Sequence, residues 1–98
     1  MYARISHVGG LPQAIEEGIA SFRESTLPEL KSVEGNRGAI LLVDRETGNA
    51  MAITLWEDEE SMQASEERAN ELRRSAADAM GSVSDTRVDR FEVAVFET

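Results

Sequence analysis

His7 is the single histidine of the chain. Imidazole, with an unperturbed pKa of about 6.5, is the side chain suited to proton transfer near neutrality. His7 shares strand parity with Ala3 and Ile5, which turns it inward and makes it the candidate general base. The competing reading is a histidine that is simply hydrogen-bonded or solvated at a strand end. Trp56, the single tryptophan, closes a β-type segment, where an indole serves as a core or interface side chain. Glu57, Asp58, Glu59 and Glu60 are consecutive, so their side chains diverge around a helix start and do not converge on an ion. The absence of cysteine excludes disulfides, thiolate catalysis and thiolate-bound zinc or iron–sulfur. No serine lies in a nucleophile elbow, and Gly9-Gly10 lacks the spacing of a phosphate-binding loop.

The elements that must position these residues read in order. Tyr2–Val8 is a short strand ended by Gly9-Gly10. Leu11-Pro12 opens a helix whose Leu11, Ile15, Ile19 and Phe22 recur every three to four residues and define one buried face. Pro28 predicts a kink or a second short helix. The apolar run Ala39–Val43 is a strand buried on both faces. Asp44–Asn49 is a turn in which Gly48 and Asn49 tolerate positive φ, and Ala50–Trp56 completes a hairpin. A second helix follows, with Met62, Ser65, Ala69, Leu72, Ala76 and Met80 on its inner side and Gly81 at its end. On its outer side Arg68 and Glu71, three apart, can pair. Arg87–Phe96 is the last strand.

The order strand, helix, strand, strand, helix, strand has one common solution. It is an α+β, ferredoxin-like βαββαβ antiparallel sheet with both helices on one face. The inner side of the second helix is largely small, which either leaves room for an apolar ligand or lets helix and sheet approach closely. Tyr2, Arg4 and Thr54 are the polar groups nearest such a space.

The other sheet face ought to be polar in a monomer. Instead both parities are apolar: Met51, Ile53 and Leu55 against Ala50, Ala52 and Trp56, and Ala39, Leu41 and Val43 against Ile40 and Leu42. Covering that second face with an identical one is worth several kcal/mol at about 25 cal/mol per Å², before association costs. The expectation is a homodimer, sheet against sheet, forming a dimeric α+β barrel.

The 98 residues make one domain. Net charge is −9, and residues 50–98 carry twelve acidic against five basic groups. That balance disfavours nucleic acid and anionic lipid as partners. Met1–Val8 carries Arg4 and His7 and cannot be the apolar core of a signal peptide, and no stretch approaches membrane-spanning length. The expected location is cytoplasmic.

The stretch Ala52-Ile-Thr-Leu-Trp-Glu-Asp-Glu-Glu-Ser-Met62 resembles the strand-to-helix junction of antibiotic-biosynthesis monooxygenase-like domains, where Thr-x-Trp-Glu leads into a helix with a Met or Phe a few residues on. The Gly-Gly-Leu opening and the aromatic last strand extend the resemblance to essentially the whole chain, making 1–98 a single such domain. It implies a homodimer with a cavity between sheet and helices, and a Trp56 that lines the cavity and stacks on a flat ligand. Haem-degrading relatives add an asparagine in the first strand and an iron-ligating histidine in the second helix. Here His7 stands near the first position and Met62–Met80 holds no histidine, so haem degradation by that route is not expected, and no cofactor or metal is assigned. Two functions remain. One is a dimeric module binding a small apolar or aromatic ligand. The other is a cofactor-independent monooxygenase acting on an aromatic or quinol-type substrate, with Trp56 stacking and His7 as base.

Overall fold

The computed structural model describes residues 1–79 and 87–98, with the side chains at 73 and 75–79 excepted. Strand β1 (Tyr2–Gly9) leads through a 3-10 turn (Pro12–Ala14) into α1 (Ile15–Ser21). A π turn (Phe22–Thr26) joins α1 to α2 (Leu27–Lys31). Strands β2 (Asn36–Val43) and β3 (Asn49–Trp56) form the hairpin, α3 (Glu59–Ala64) and α4 (Glu66–Ala79) follow, and β4 (Arg87–Glu92) closes the sheet. The four strands lie in the order β2-β3-β1-β4, every pair antiparallel. This is the expected ferredoxin-like α+β architecture.

Alternation along the strands sorts side chains between two unlike faces. Arg4, Ser6 and Val8 of β1 pair with Thr54, Ala52 and Ala50 of β3 and face the helices. Ile15 packs on Val8 and Ala50 at one end, and Leu30 and Met62 pack on Trp56 at the other. Ile5, His7, Met51, Ile53, Ile40 and Leu42 take the opposite parity, on a face that no helix among the described residues covers.

Several expectations are corrected. The β2 run is not buried on both faces within one chain: Leu42 is 48% exposed and Ile40 41%, because helices cover one side of the sheet only. Leu11 is also exposed, since the helix opens with a 3-10 turn and Leu11, in extended conformation before it, never joins the helical face. At Pro28, where a kink or a second short helix is expected, the structure has the second short helix. Pro28 lacks an N–H and its ring crowds the carbonyl four residues back, so the preceding turn widens and Leu27 N–H reaches Phe22 O, five residues away. The widened turn directs both Phe22 and Thr26 inward.

The second helix breaks at Ser65 into α3 and α4. Arg68 pairs with Glu29 of α2 at 2.6 Å, and not with Glu71. The inward contacts of Ala76 and Met80 and the stop at Gly81 fall outside the described residues. The last strand ends at Glu92, not Phe96: Val93 N–H still reaches Met1 O at 2.9 Å, and beyond it the segment runs along no partner strand, leaving Val95 and Phe96 exposed.

In the hairpin, Asp44 Oδ1 accepts from the N–H groups of Glu46 (2.9 Å) and Thr47 (3.3 Å), an Asx-type turn. Of the two turn residues expected to tolerate positive φ, Gly48 takes it, at +83°, while Asn49 already belongs to β3. A Cβ at Gly48 would lie 2.5 Å from Gly10 O and 2.6 Å from Pro12 N, both backbone atoms that cannot step aside. A Cβ at Gly38, φ +140°, meets nothing closer than Leu55 Cδ1 at 4.0 Å. Gly48→Ala should therefore cost about 2–4 kcal/mol in urea denaturation and Gly38→Ala about 1 kcal/mol. Equal costs would refute the steric argument.

Candidate functional site

The polar centre of the helix-covered face is Arg4. Its side chain is 1% exposed, and the guanidinium carbon lies 5.2 Å from the centroid of the Trp56 ring, within cation–π range. Nη1 donates to Met62 O and Nη2 to Ser65 Oγ, both at 3.1 Å, so Arg4 holds the break between α3 and α4. Register places Arg90 of β4 directly opposite Arg4. Two guanidinium groups side by side require a carboxylate, and Glu66 supplies it. It lies 3.2 Å from Arg4 and accepts two hydrogen bonds from Arg90, at 2.7 and 2.8 Å.

The ionisation equilibria follow from this arrangement. Burial pulls the Arg4 guanidinium below its ordinary range, and Glu66 opposes that pull. The hydrogen bond from Arg90 holds Glu66 below the usual carboxylate value, with Arg4 adding to the effect and burial opposing it. Arg90 is raised by the same bond.

Beside Arg4 lies a small cavity between sheet and helices. Ser6, Ala52 and Thr54 form its floor, and Phe22, Thr26, Ala69 and Leu72 its roof. Its free volume of about 40 Å³ accommodates about three waters. Thr54 Oγ1 accepts from the Trp56 indole N–H at 2.9 Å, which leaves the hydroxyl proton of Thr54 available as a donor. Among the described residues no group of three or more His, Cys, Asp or Glu side chains is arranged to hold a metal ion.

Of the residues singled out in the sequence, Arg4 and Thr54 meet at the cavity. Trp56 is 0% exposed and stands behind them, packed on Leu30 and Met62, so it supports the cavity wall without lining it. Tyr2 packs against this Trp56 cluster, also outside the lining. His7 lies on the opposite face, its Nε2 3.0 Å from Asp89 Oδ2. Asp89 also accepts from Arg87 Nε at 3.1 Å and is held below the usual carboxylate range, chiefly by Arg87 and further by His7, against burial. Within one chain, a molecule in the helix-side cavity meets Arg4 and Thr54 but not His7. Sequence reasoning missed Glu66, Arg90, Thr26 and Asp89, and it placed Ser65 on the inner side of the helix without its bond to Arg4. The Arg4–Arg90 opposition was implicit in strand parity, but only the strand order makes them neighbours.

Solved structures share this architecture over nearly their whole length. A monooxygenase from the gene ActVA-Orf6 of Streptomyces coelicolor, in complex with the ligand nanaomycin D, superposes with a TM-score of 0.76 at 13% identity. The match covers 99% of this chain and 92% of that one. SnoaB, a cofactor-independent oxygenase from Streptomyces nogalater, gives 0.67 at 17% identity over 97% and 94%. The chain has the antibiotic biosynthesis monooxygenase fold. The resemblance at the Ala52–Met62 junction thus holds at the level of fold. No protein-family model matches the sequence. Among curated proteins, the uncharacterized protein Rv2558 of Mycobacterium tuberculosis is 35% identical over 95 residues, spanning 97% of this chain and 39% of its own length. The chain thus covers about two-fifths of that relative.

Glu66, depressed in the fold, contributes stability above the unfolded carboxyl's value of about 4.5, and that contribution is lost as pH falls below it. Glu66→Gln should cost about 1–3 kcal/mol at pH 7, since Glu66 is partly exposed. Denaturant titrations of wild type and variant should converge below pH 4.5. A gap unchanged by acid would show that the carboxylate charge plays no part.

Proposed function

We propose that the protein binds a small, mostly apolar ligand with one polar edge between sheet and helices, as a homodimer joined through its open sheet face. The observation that carries this reading is a buried cation and a hydroxyl donor, Arg4 and Thr54, in a cavity whose remaining lining is mostly apolar, with Phe22, Ala69 and Leu72 in its roof. Apolar walls supply affinity and the polar groups supply orientation. At about 40 Å³ the cavity is too small for a ring-sized ligand as it stands. A ring-sized ligand enters by moving α4 away from the sheet about Ser65, where the helix is already broken. The fold shared with a monooxygenase solved with nanaomycin D supports a small-molecule occupant.

The homodimer rests on Ile40, Leu42 and Phe91, which are exposed on a face that also carries Ile5 and Ile53. An apolar surface of this kind is covered in most soluble proteins. No helix among the described residues is long and apolar enough to cross a membrane, and the proposed location is the cytoplasm.

A second reading is cofactor-independent oxygenation of an aromatic or quinol-type substrate, favoured by the fold shared with SnoaB. Under it Arg4 stabilises negative charge on the substrate. Trp56 acts from behind the wall, and His7 serves as base only for a substrate on the other face.

Trp56 fluorescence during titration with anthrone- and quinol-type compounds tests the binding reading. Saturable quenching is expected, and Ala69→Leu, which fills the cavity, should weaken binding at least about tenfold while circular dichroism stays native. Unchanged affinity in that variant would sink the helix-side site. Turnover of a quenching compound, lost in Arg4→Met, would establish the oxygenase reading. Light scattering should give twice the chain mass for wild type and a monomer for Ile53→Glu, and a monomeric wild type would remove the dimer.

A further inference from the structure

Building on the helix-side binding reading, we propose that the groove between α2 and α4 is the mouth of that site and holds a primary ammonium carried on a short chain from the ligand's ring. Two hollows meet there at one wall. The inner cavity of about 40 Å³ and an outer groove of about 590 Å³ share Thr26 and Leu72 in their lining. Moving α4 away from the sheet carries Leu72 with it and joins the two into a space of ligand size. The groove lies on the helix layer, across the sheet from Ile40, Leu42 and Ile53, so a sheet-to-sheet homodimer leaves it open.

Thr26 makes the shared wall polar. The residue is 8% exposed, and its hydroxyl, which makes no hydrogen bond to a described residue, opens on the space at the two hollows. A hydroxyl so placed is costly unless water or a ligand satisfies it. The outer walls add charge. Glu24, Glu29 and Glu71 line the groove, with Arg68 the one cation of its lining among the described residues. Arg68 pairs with Glu29 at 2.6 Å and so ties α4 to α2 across the mouth. Both side chains are half exposed, and a pair of this kind gives way readily to a competing cation. When α4 swings out, Arg68 leaves with it. Glu29 stays on α2, three residues from Thr26 and on the same side of the chain. A ligand ammonium then replaces the guanidinium, donating to the Glu29 carboxylate and to Thr26 Oγ1, while the ring passes beneath Ala69 toward Arg4 and Thr54. The carboxylates of the groove and the net charge of −9 repel an anionic chain end.

Tyramine and tyrosol are the probes, since they differ only in ending the same chain with an ammonium or a hydroxyl. Both are titrated calorimetrically into the full chain at pH 7, where the amine is protonated. Tyramine is expected to bind about tenfold tighter than tyrosol, and added salt should weaken tyramine alone. Glu29→Gln should abolish the tyramine advantage. Arg68→Gln, which frees Glu29, should raise tyramine affinity severalfold, and Thr26→Val should lower it severalfold, with native circular dichroism in each. Ala69→Leu should weaken both probes. Equal affinity of the two, both lost in Ala69→Leu, overturns the ammonium site and leaves the cavity reading standing. Tyramine binding that survives Ala69→Leu but not Glu29→Gln overturns the joined site, because the ammonium then binds at the surface alone. No saturable tyramine binding also overturns the proposal, whereas the cavity reading falls only if anthrone- and quinol-type compounds fail as well.

Discussion

One buried charge organises this small fold. Arg4 is almost fully removed from water, and an ionised group there is tolerable only if its hydrogen-bonding and electrostatic demands are met within the chain. Meeting them draws in four elements. Strand β3 contributes the Trp56 face, the α3–α4 junction contributes Met62 O and Ser65 Oγ, α4 contributes Glu66, and β4 contributes the cation that keeps Glu66 ionised. The helix break at Ser65 is part of the same device. Where the chain turns between α3 and α4, Met62 O accepts both from Arg4 and from the Ser65 hydroxyl at 2.7 Å. The sheet and the second helical layer are thereby joined at a point and not only along an apolar seam.

That junction bears on function in a physical sense. Apolar contacts between helix and sheet are non-directional and permit sliding. The Arg4 bonds fix one end of α4 while Ala69 and Leu72 further along contact the cavity through apolar surface alone. Any opening of the cavity therefore works against apolar contacts at Ala69 and Leu72 and leaves the polar anchor in place. The π turn opposite performs a similar task by a different route: Pro28 forces the widened turn, and the widened turn brings Phe22 and Thr26 to the cavity roof.

The two sheet faces divide the chemistry. The helix side holds a cation, hydroxyls and small apolar groups. The open side holds an isoleucine-rich row and, one step away, an imidazole bound to a carboxylate. A residue pair such as Trp56 and His7, both conspicuous in sequence, is separated by the thickness of the sheet because 7 and 56 fall on opposite parities once β1 and β3 are in register. Chemical prominence in the sequence did not translate into a shared site.

By itself the sequence determined what depends on local pattern. The order of elements, the hairpin turn at Asp44–Asn49, the acidic start of the second helix and the doubly apolar strands all follow from periodicity and turn chemistry, which act over a few residues. Tertiary structure alone decided what depends on contacts between distant segments. It placed Arg90 beside Arg4, brought Glu66 between them, turned Arg68 from Glu71 to Glu29, and set Asp89 against His7. It also ended β4 at Glu92, where pairing with β1 runs out despite a strand-forming sequence beyond it. Side-chain alternation shows which residues share a face, but it carries no information about which strands are neighbours. Ionic partners are chosen across strands and layers, so the electrostatics of both faces emerged only when the chain folded.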